Sequence, residues 1–216
     1  MKKNTLLSTP LFKGMRDFDV ERALKLLGSI EKVYTKNEIL ARTGTALTHF
    51  GIVLEGTVQV NFIDIDGNLV LMASVTAGDA FAESLCWLKV SEIPVTITAF
   101  TDARVLWLDP SALATNCDDE LVTELRNRFI SILAAKTLAM NDRVQVLSKP
   151  TLRQKIITFL SQYSNKNSSK TFSIPFDRES LALYLGVNRS ALSRELSVMK
   201  NEGIIDFYKN TFKILK

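Results

Sequence analysis

Histidine is almost missing from this chain of 216 residues, and His49 is the only one. A metal site built on several imidazoles is therefore excluded. A Ser-His-Asp or Cys-His triad would have to run through His49 alone. The metal-dependent enzymes built on a β-roll normally need several histidine and acidic ligands, and a single histidine speaks against them. Cysteine is equally scarce. Cys86 and Cys117 stand alone, without the spacing of a zinc site or a redox pair, and fit a reducing compartment. No apolar run reaches the roughly 18–20 residues of a membrane span. The apolar stretch in MKKNTLLSTPLFKGM is too short for a secretory signal, which places the expected site of action in the cytoplasm. Neither GxxxxGK[ST] nor GxGxxG occurs, so the phosphate-cradling loops of nucleotide enzymes are missing.

Apolar residues make up 46% of the chain, enough for a sizeable core. The net charge of +4 is unevenly placed. From Pro150 onward there are eleven basic and five acidic residues, a balance of +6 that leaves −2 for the rest. A basic C-terminal block on a mildly acidic body points to a polyanion partner. A solvated lysine-rich surface is the alternative that charge alone leaves open.

Local pattern divides the chain further. DFDVERALKLLG, 17–28, predicts a short amphipathic helix ending at Gly28. From about Ile30 to Leu108, β-rich runs alternate with breaks at Thr43-Gly44, Glu55-Gly56, Asp66-Gly67 and Gly78-Asp79. Asp66-Gly67 between alternating runs signals a hairpin, and many short strands at regular spacing predict a sandwich or barrel. Ser111–Thr115 reads as a helical turn. Residues 118–148 contain neither Gly nor Pro. There Val122, Leu125, Phe129, Ile132, Lys136, Ala139, Arg143 and Val146 recur at alternating spacings of three and four, a seam broken by two charges. A helix of this length, roughly 45 Å, needs a partner along it. The expectation is that it packs on its own β-domain and on a second copy of itself. Pro150 marks a boundary, followed by a helix over 151–163 and a polar loop, SNKNSSK, over 164–170.

RESLALYLGVNRSALSRELSVMKNEGII, 178–205, reads as helix, turn, helix. Asp177 and Asn188 are the expected N-caps and Gly186 supplies the turn. At about 100° per residue, Arg189, Ser190, Ser193, Arg194, Ser197 and Lys200 fall within roughly a 140° arc. Leu192, Leu196 and Met199 form a separate apolar stripe. One side is suited to a core and the other to a negatively charged hydrogen-bond acceptor. IIDFYKNTFKIL, 204–215, alternates around Lys209-Asn210 and reads as a hairpin.

These segments together resemble the cyclic-AMP receptor protein / fumarate–nitrate regulator (CRP/FNR) family of bacterial transcription factors. LTHFGIVLEGTVQV, IDIDGNLVLMASVTAGDAFAE and TAFTDARVLWLD follow the order and spacing of its cyclic-nucleotide-type β-roll. The long helix resembles its dimerisation helix, and 178–205 its winged helix-turn-helix. The resemblance implies an α+β fold: a β-roll sensor domain over 1–117, a dimerisation helix over 118–148 and a winged helix-turn-helix over 149–216. It implies a homodimer on a two-fold symmetric operator in double-stranded DNA, no enzymatic activity, no membrane contact, and RNA polymerase as a further candidate partner. Val122, Leu125, Phe129, Ile132 and Ala139 would face the twin helix. Arg194 matches the family's base-reading arginine, and Arg189 a position where some members carry one. Each has the reach for guanine O6 and N7. Ser190 stands where most members carry glutamate, so the preferred half-site should differ from theirs. Ser193 would read a base or merely fit. Arg178, Ser197, Lys200 and Lys209 would touch phosphates.

The same resemblance raises the question of an effector. Glu83 matches the acid that contacts the ribose in cyclic-nucleotide binders. Ile93-Pro94 stands where their phosphate-binding arginine belongs, Ala82 replaces a glycine, and no basic residue lies between Lys89 and Arg104. A buried phosphate would go uncompensated, so cyclic AMP is not the expected effector. An unknown small molecule, apolar or aromatic, remains, as does no effector at all. Phe81, Leu85, Trp87, Val95 and Ile97 are the apolar candidates to line its pocket, each of them equally open to being plain core. Glu83, Ser84 and Thr96 are the polar candidates, with Met140 and Asn141 on the long helix. Two cysteines are too few for the family's iron–sulfur sensors. A haem would have to rely on His49 or Cys86, so no cofactor is expected. A β-roll ligand-binding or protein-interaction module without specific DNA binding is the competing reading.

Overall fold

The computed structural model describes residues 3–63, 65, 69–115 and 119–215. The chain divides into two compact units, Met1–Ala134 and Ala135–Lys216. In the first, α1 (Lys3–Ser8) and α2 (Asp17–Leu26) precede β1 (Ile30–Tyr34), β2 (Ile39–Ala41), β3 (Phe50–Glu55), β4 (Thr57–Ile63), β5 (Leu69–Thr76) and β6 (Ala80–Phe81). Then come α3 (Glu83–Trp87), β7 (Thr96–Ala99), β8 (Ala103–Leu108) and α4 (Ala112–Thr115). The helix α5 (Glu120–Leu147) contributes to both units.

The strands form two antiparallel four-stranded sheets, β1-β8-β3-β6 and β2-β7-β4-β5. Period-two alternation explains why β3 and β8 read as continuous apolar runs. Phe50, Ile52 and Leu54, with Leu106 and Leu108, enter a core shared with the N-terminal helices and α5. Val53, Val105 and Trp107, on the opposite face, enter the core of the β-roll with Val58 and Ile97. Both faces are covered, so no polar alternation is left to see. Gly56 joins β3 to β4 at φ +79°, and a Cβ there would stand 2.1 Å from the Asp102 carbonyl oxygen. Only glycine fits that turn. β4 and β5 pair from Thr57↔Thr76 to Ile63↔Leu69, while the Asp66-Gly67 turn itself lies outside the described residues, as does Cys117.

The second unit holds the rest of α5, α6 (Leu152–Asn167), β9 (Thr171–Ser173), α7 (Arg178–Leu185), α8 (Arg189–Asn201), β10 (Ile205–Tyr208) and β11 (Thr211–Ile214). Thr151 caps α6 by accepting from the Gln154 amide, and α6 continues through most of the stretch that reads as a loop. β9 has no signal in the sequence pattern. It pairs with β11, giving a three-stranded sheet, β10-β11-β9. Ile156, Phe159, Leu160, Leu181, Leu185, Leu192, Leu196, Met199 and Phe212 form one core.

The α5 seam is oriented differently from the expectation. Val122, Leu125 and Phe129 are fully buried and Ile132 nearly so, all in the chain's own core. The Phe129 ring packs, tilted, at 5.2 Å from Phe50 and 5.3 Å from Trp87 between ring centroids. These four are not available to a twin helix. Ala139 is exposed but lies roughly half a turn round the helix from Ile130. The exposed large apolar residues of α5 are Ile130, Leu138, Met140, Val144 and Leu147. A strict seam and a wide apolar stripe look alike in sequence. The chain's own core takes the most regular part of the stripe.

Candidate nucleic-acid interface and sensor site

The helix-turn-helix is assembled by its caps. The Asp177 carboxylate accepts from the Ser180 amide at 2.7 Å, which holds its pKa below the usual aspartate value. Gly186 ends α7 in the left-handed region at φ +66°. The Asn188 side chain accepts from the Ala191 amide at 2.7 Å and starts α8. Lys155 donates to the Leu185 carbonyl, one of the acceptors at the C-terminal end of α7. Leu192, Leu196 and Met199 are at most 1% exposed. Arg189, Ser190, Ser193, Arg194, Ser197 and Lys200 are all exposed. α8 thus presents a face of guanidinium and hydroxyl groups near its N-terminus. Neither Arg189 nor Arg194 enters an ion pair among the described residues. Arg194 Nε donates only to the Ser190 carbonyl at 3.4 Å, and Ser197 Oγ to that of Ser193 at 3.0 Å.

A residue that sequence reading missed pairs with the acids on the opposite side of this helix. The Arg153 guanidinium on α6 donates to Glu195 at 2.7 Å and to both Glu202 oxygens at 2.7 and 3.0 Å. Glu195 is the one acid within α8 and Glu202 its C-cap. Helical phase already sets both carboxylates away from the exposed face, and Arg153 neutralises them there. The separations of 42 and 49 residues leave no local signal in sequence.

Two of the four residues expected at phosphates are engaged with the wing. Arg178 lies over the rings of Phe207 and Phe212 at 4.9 and 5.1 Å and donates to the Lys209 carbonyl. Burial lowers its pKa. Lys200 reaches Asp206 at 2.6 Å and the Phe207 carbonyl at 3.2 Å, and that ammonium is the main cause of the lowered Asp206 pKa. Both cations therefore anchor β10 to the helices. Lys209, at φ +50° in the turn, and Ser197 stay exposed beside α8 and the wing.

In the first unit the expected effector residues are divided between buried core and surface. Phe81 lies over Gly51, where a Cβ would meet its ring at 2.2 Å, and stacks edge-on to Trp107 at 5.3 Å. Val95 and Ile97 share its core. Thr96 Oγ1 accepts from the Thr43 amide. Glu83 is 3% exposed, while Ser84 is exposed and Leu85 half-buried. Met140 belongs to the second unit and is exposed there. Ile93 is buried and its backbone is tied both ways, donating to the Thr45 carbonyl and accepting from Gly44. An apolar side chain thus packs at the position where the family resemblance expects an arginine. Ala82 adopts φ +64°, the left-handed turn that suits the glycine it replaces. His49 Nδ1 pairs with the Thr48 hydroxyl at 2.8 Å, and no group of three or more potential metal ligands occurs among the described residues.

Of the expected set, Trp87 lines a cavity of this unit. The cavity has a volume of about 520 Å³, and its apolar wall is Leu47, Cys86, Trp87, Val90, Pro110 and Ala114. Burial pushes the Cys86 thiol up to about 12, with smaller contributions from Glu83 and Asp109. An unfolded thiol titrates near about 8.5. The folded state keeps its proton where the unfolded chain has lost it, so this contribution is complete below about 8.5 and shrinks as pH rises toward 12. Denaturation midpoints are expected to fall between about pH 9 and 11 more steeply in the native protein than in Cys86→Ala. Parallel curves would contradict it.

The comparisons agree with this geometry. Residues 31–120 match the family model of the cyclic nucleotide-binding domain, and residues 154–216 that of the Crp-like helix-turn-helix domain. The chain belongs to the CRP/FNR family of transcription regulators. It is 23% identical over 207 residues to electron transport regulator A of Shewanella oneidensis, covering 91% of this chain and 70% of that protein. It is 30% identical over 87 residues to the transcriptional activator protein FnrL of Cereibacter sphaeroides, covering 36% of this chain and 35% of that one. Its fold is similar to that of FixK2 from Bradyrhizobium japonicum, with a TM-score of 0.56, 21% identity, and coverage of 87% and 93%. No helix among the described residues is long and apolar enough to cross a membrane.

Proposed function

We propose that this regulator binds a two-fold symmetric DNA site as a homodimer and that cyclic AMP does not control it. The observation that carries the DNA reading is the exposed face of α8, with Arg189, Ser190, Ser193 and Arg194 forward and its acids on the opposite side, paired with Arg153. In the major groove the arginines read guanine edges, and the serines accept or donate at neighbouring bases. Ser197 and Lys209 contact phosphates. Dimerisation runs along the exposed stripe of α5 through Ile130, Leu138 and Val144. An effector acts by binding one arrangement of the dimer better than another, shifting the population that matches successive major grooves.

The exclusion of cyclic AMP rests on buried Ile93 and on the well-packed Phe81, Val95 and Ile97. Titration calorimetry with cyclic AMP against the whole protein is expected to show no saturable heat up to millimolar concentrations. Micromolar binding would contradict that. The alternative of a protein-interaction module is separated by salt. DNA affinity should fall linearly with salt on logarithmic axes, at a slope set by the phosphates neutralised.

A further inference from the structure

We infer that the cavity beside α3 is a binding site for a small, uncharged, mainly apolar ring compound, distinct from the interior of the β-roll. Its volume of about 520 Å³ falls in the range of small-molecule sites, roughly 300–1,000 Å³. Leu47, Trp87, Val90, Pro110 and Ala114 supply a surface that favours an apolar body. Trp87 offers a half-buried aromatic ring for stacking. The polar groups in the wall are Thr48, Lys89, Ser91, Asp109 and Ser111. Lys89 and Asp109 are opposite in charge, so the wall as a whole selects neither an anion nor a cation. The hydroxyls of Thr48, Ser91 and Ser111 suit a ligand carrying one hydroxyl or N–H group. Cys86 stays protonated well above neutral pH, so it meets a ligand as an apolar thiol and not as a nucleophile.

The cavity also has a path to the rest of the unit. The Trp87 ring also packs, tilted, on Phe129 of α5 at 5.3 Å between ring centroids. An occupant that fixes the Trp87 ring therefore bears directly on α5. That regulatory consequence rests on the reading of α5 as the dimer helix, but occupancy of the site does not.

The test uses the full chain labelled with fluorotryptophan, which gives one fluorine resonance for each of Trp87 and Trp107. Trp87→Phe assigns them. Benzyl alcohol and indole are titrated, with benzoate and benzylamine as charged counterparts. The expected result is a saturable shift of the Trp87 resonance with both neutral compounds and a fixed Trp107 resonance. Ala114→Phe, placed at an exposed position of the wall, should weaken binding at least tenfold, and Val90→Phe on the facing segment should do the same if the first variant folds poorly. An unmoved Trp87, a shift of Trp107 instead, binding unchanged in both filled variants, or tighter binding of either charged compound would overturn the inference. None of these readings depends on DNA binding.

Discussion

Ile130→Glu in α5 is expected to convert a dimer into a folded monomer in analytical ultracentrifugation. It should weaken binding to a two-fold site by about 100-fold or more, because one half-site no longer raises the effective concentration at the other. Ile130 is 50% exposed, so glutamate costs little inside the single chain. Placed opposite its own copy it puts two like charges into an apolar contact. Val144→Glu, at another exposed position, should act in the same way. Phe129→Ala is the informative contrast. Phe129 is fully buried against Phe50 and Trp87, and its truncation should cost about 3–5 kcal/mol of stability. If Phe129→Ala split a well-folded dimer while Ile130→Glu left it intact, the twin helices would meet along Val122, Leu125 and Phe129 and not along the Ile130 stripe.

The second large effect lies in α8. Arg194→Ala should reduce affinity for the preferred site by about 1–3 kcal/mol, roughly 5- to 150-fold, and flatten base preference at one position in each half-site. Arg189→Ala should do likewise at a neighbouring position. Lys209→Ala should instead weaken all sequences alike and reduce the salt dependence by about one phosphate. Lys200 is the discriminating case. Were it a phosphate contact, removing its acidic partner by Asp206→Ala would strengthen binding. Held at 2.6 Å from Asp206, it positions the wing, and both Lys200→Ala and Asp206→Ala should weaken binding through the same loosened β10. Affinities of the two single variants and the double variant decide the matter. Equal losses that do not add support positioning.

Features legible in sequence are those with a short-range cause. The N-caps at Asp177 and Asn188, the Gly186 turn and the two faces of α8 follow from spacing within a single turn or two of helix. The β-roll is legible because turn residues punctuate it at regular intervals. α3, β9 and the end of α6 are not, since each is fixed by packing or pairing with distant chain. The same holds at the sites. Arg153 reaches α8 across more than forty residues, and the cavity wall gathers Leu47, Trp87 and Pro110 from three separate segments. α5 shows the limit most clearly. Its periodicity announces a helix needing partners on more than one side, but only the packed core reveals that Val122, Leu125, Phe129 and Ile132 face inward. Charge is hard to assign for a similar reason. Arg178 and Lys200 are basic and near α8 in sequence, yet carbonyls, a carboxylate and aromatic rings already occupy them.

Selection of bound duplexes from a random pool, using the purified protein with and without extract from cells, tests the central claim most directly. The expected outcome is enrichment of a two-fold symmetric sequence whose half-sites lie about 34 Å apart along one face of the duplex, each with a guanine preference that disappears in Arg194→Ala. Recovery of unenriched sequence under both conditions, or of a lone asymmetric half-site, would contradict it.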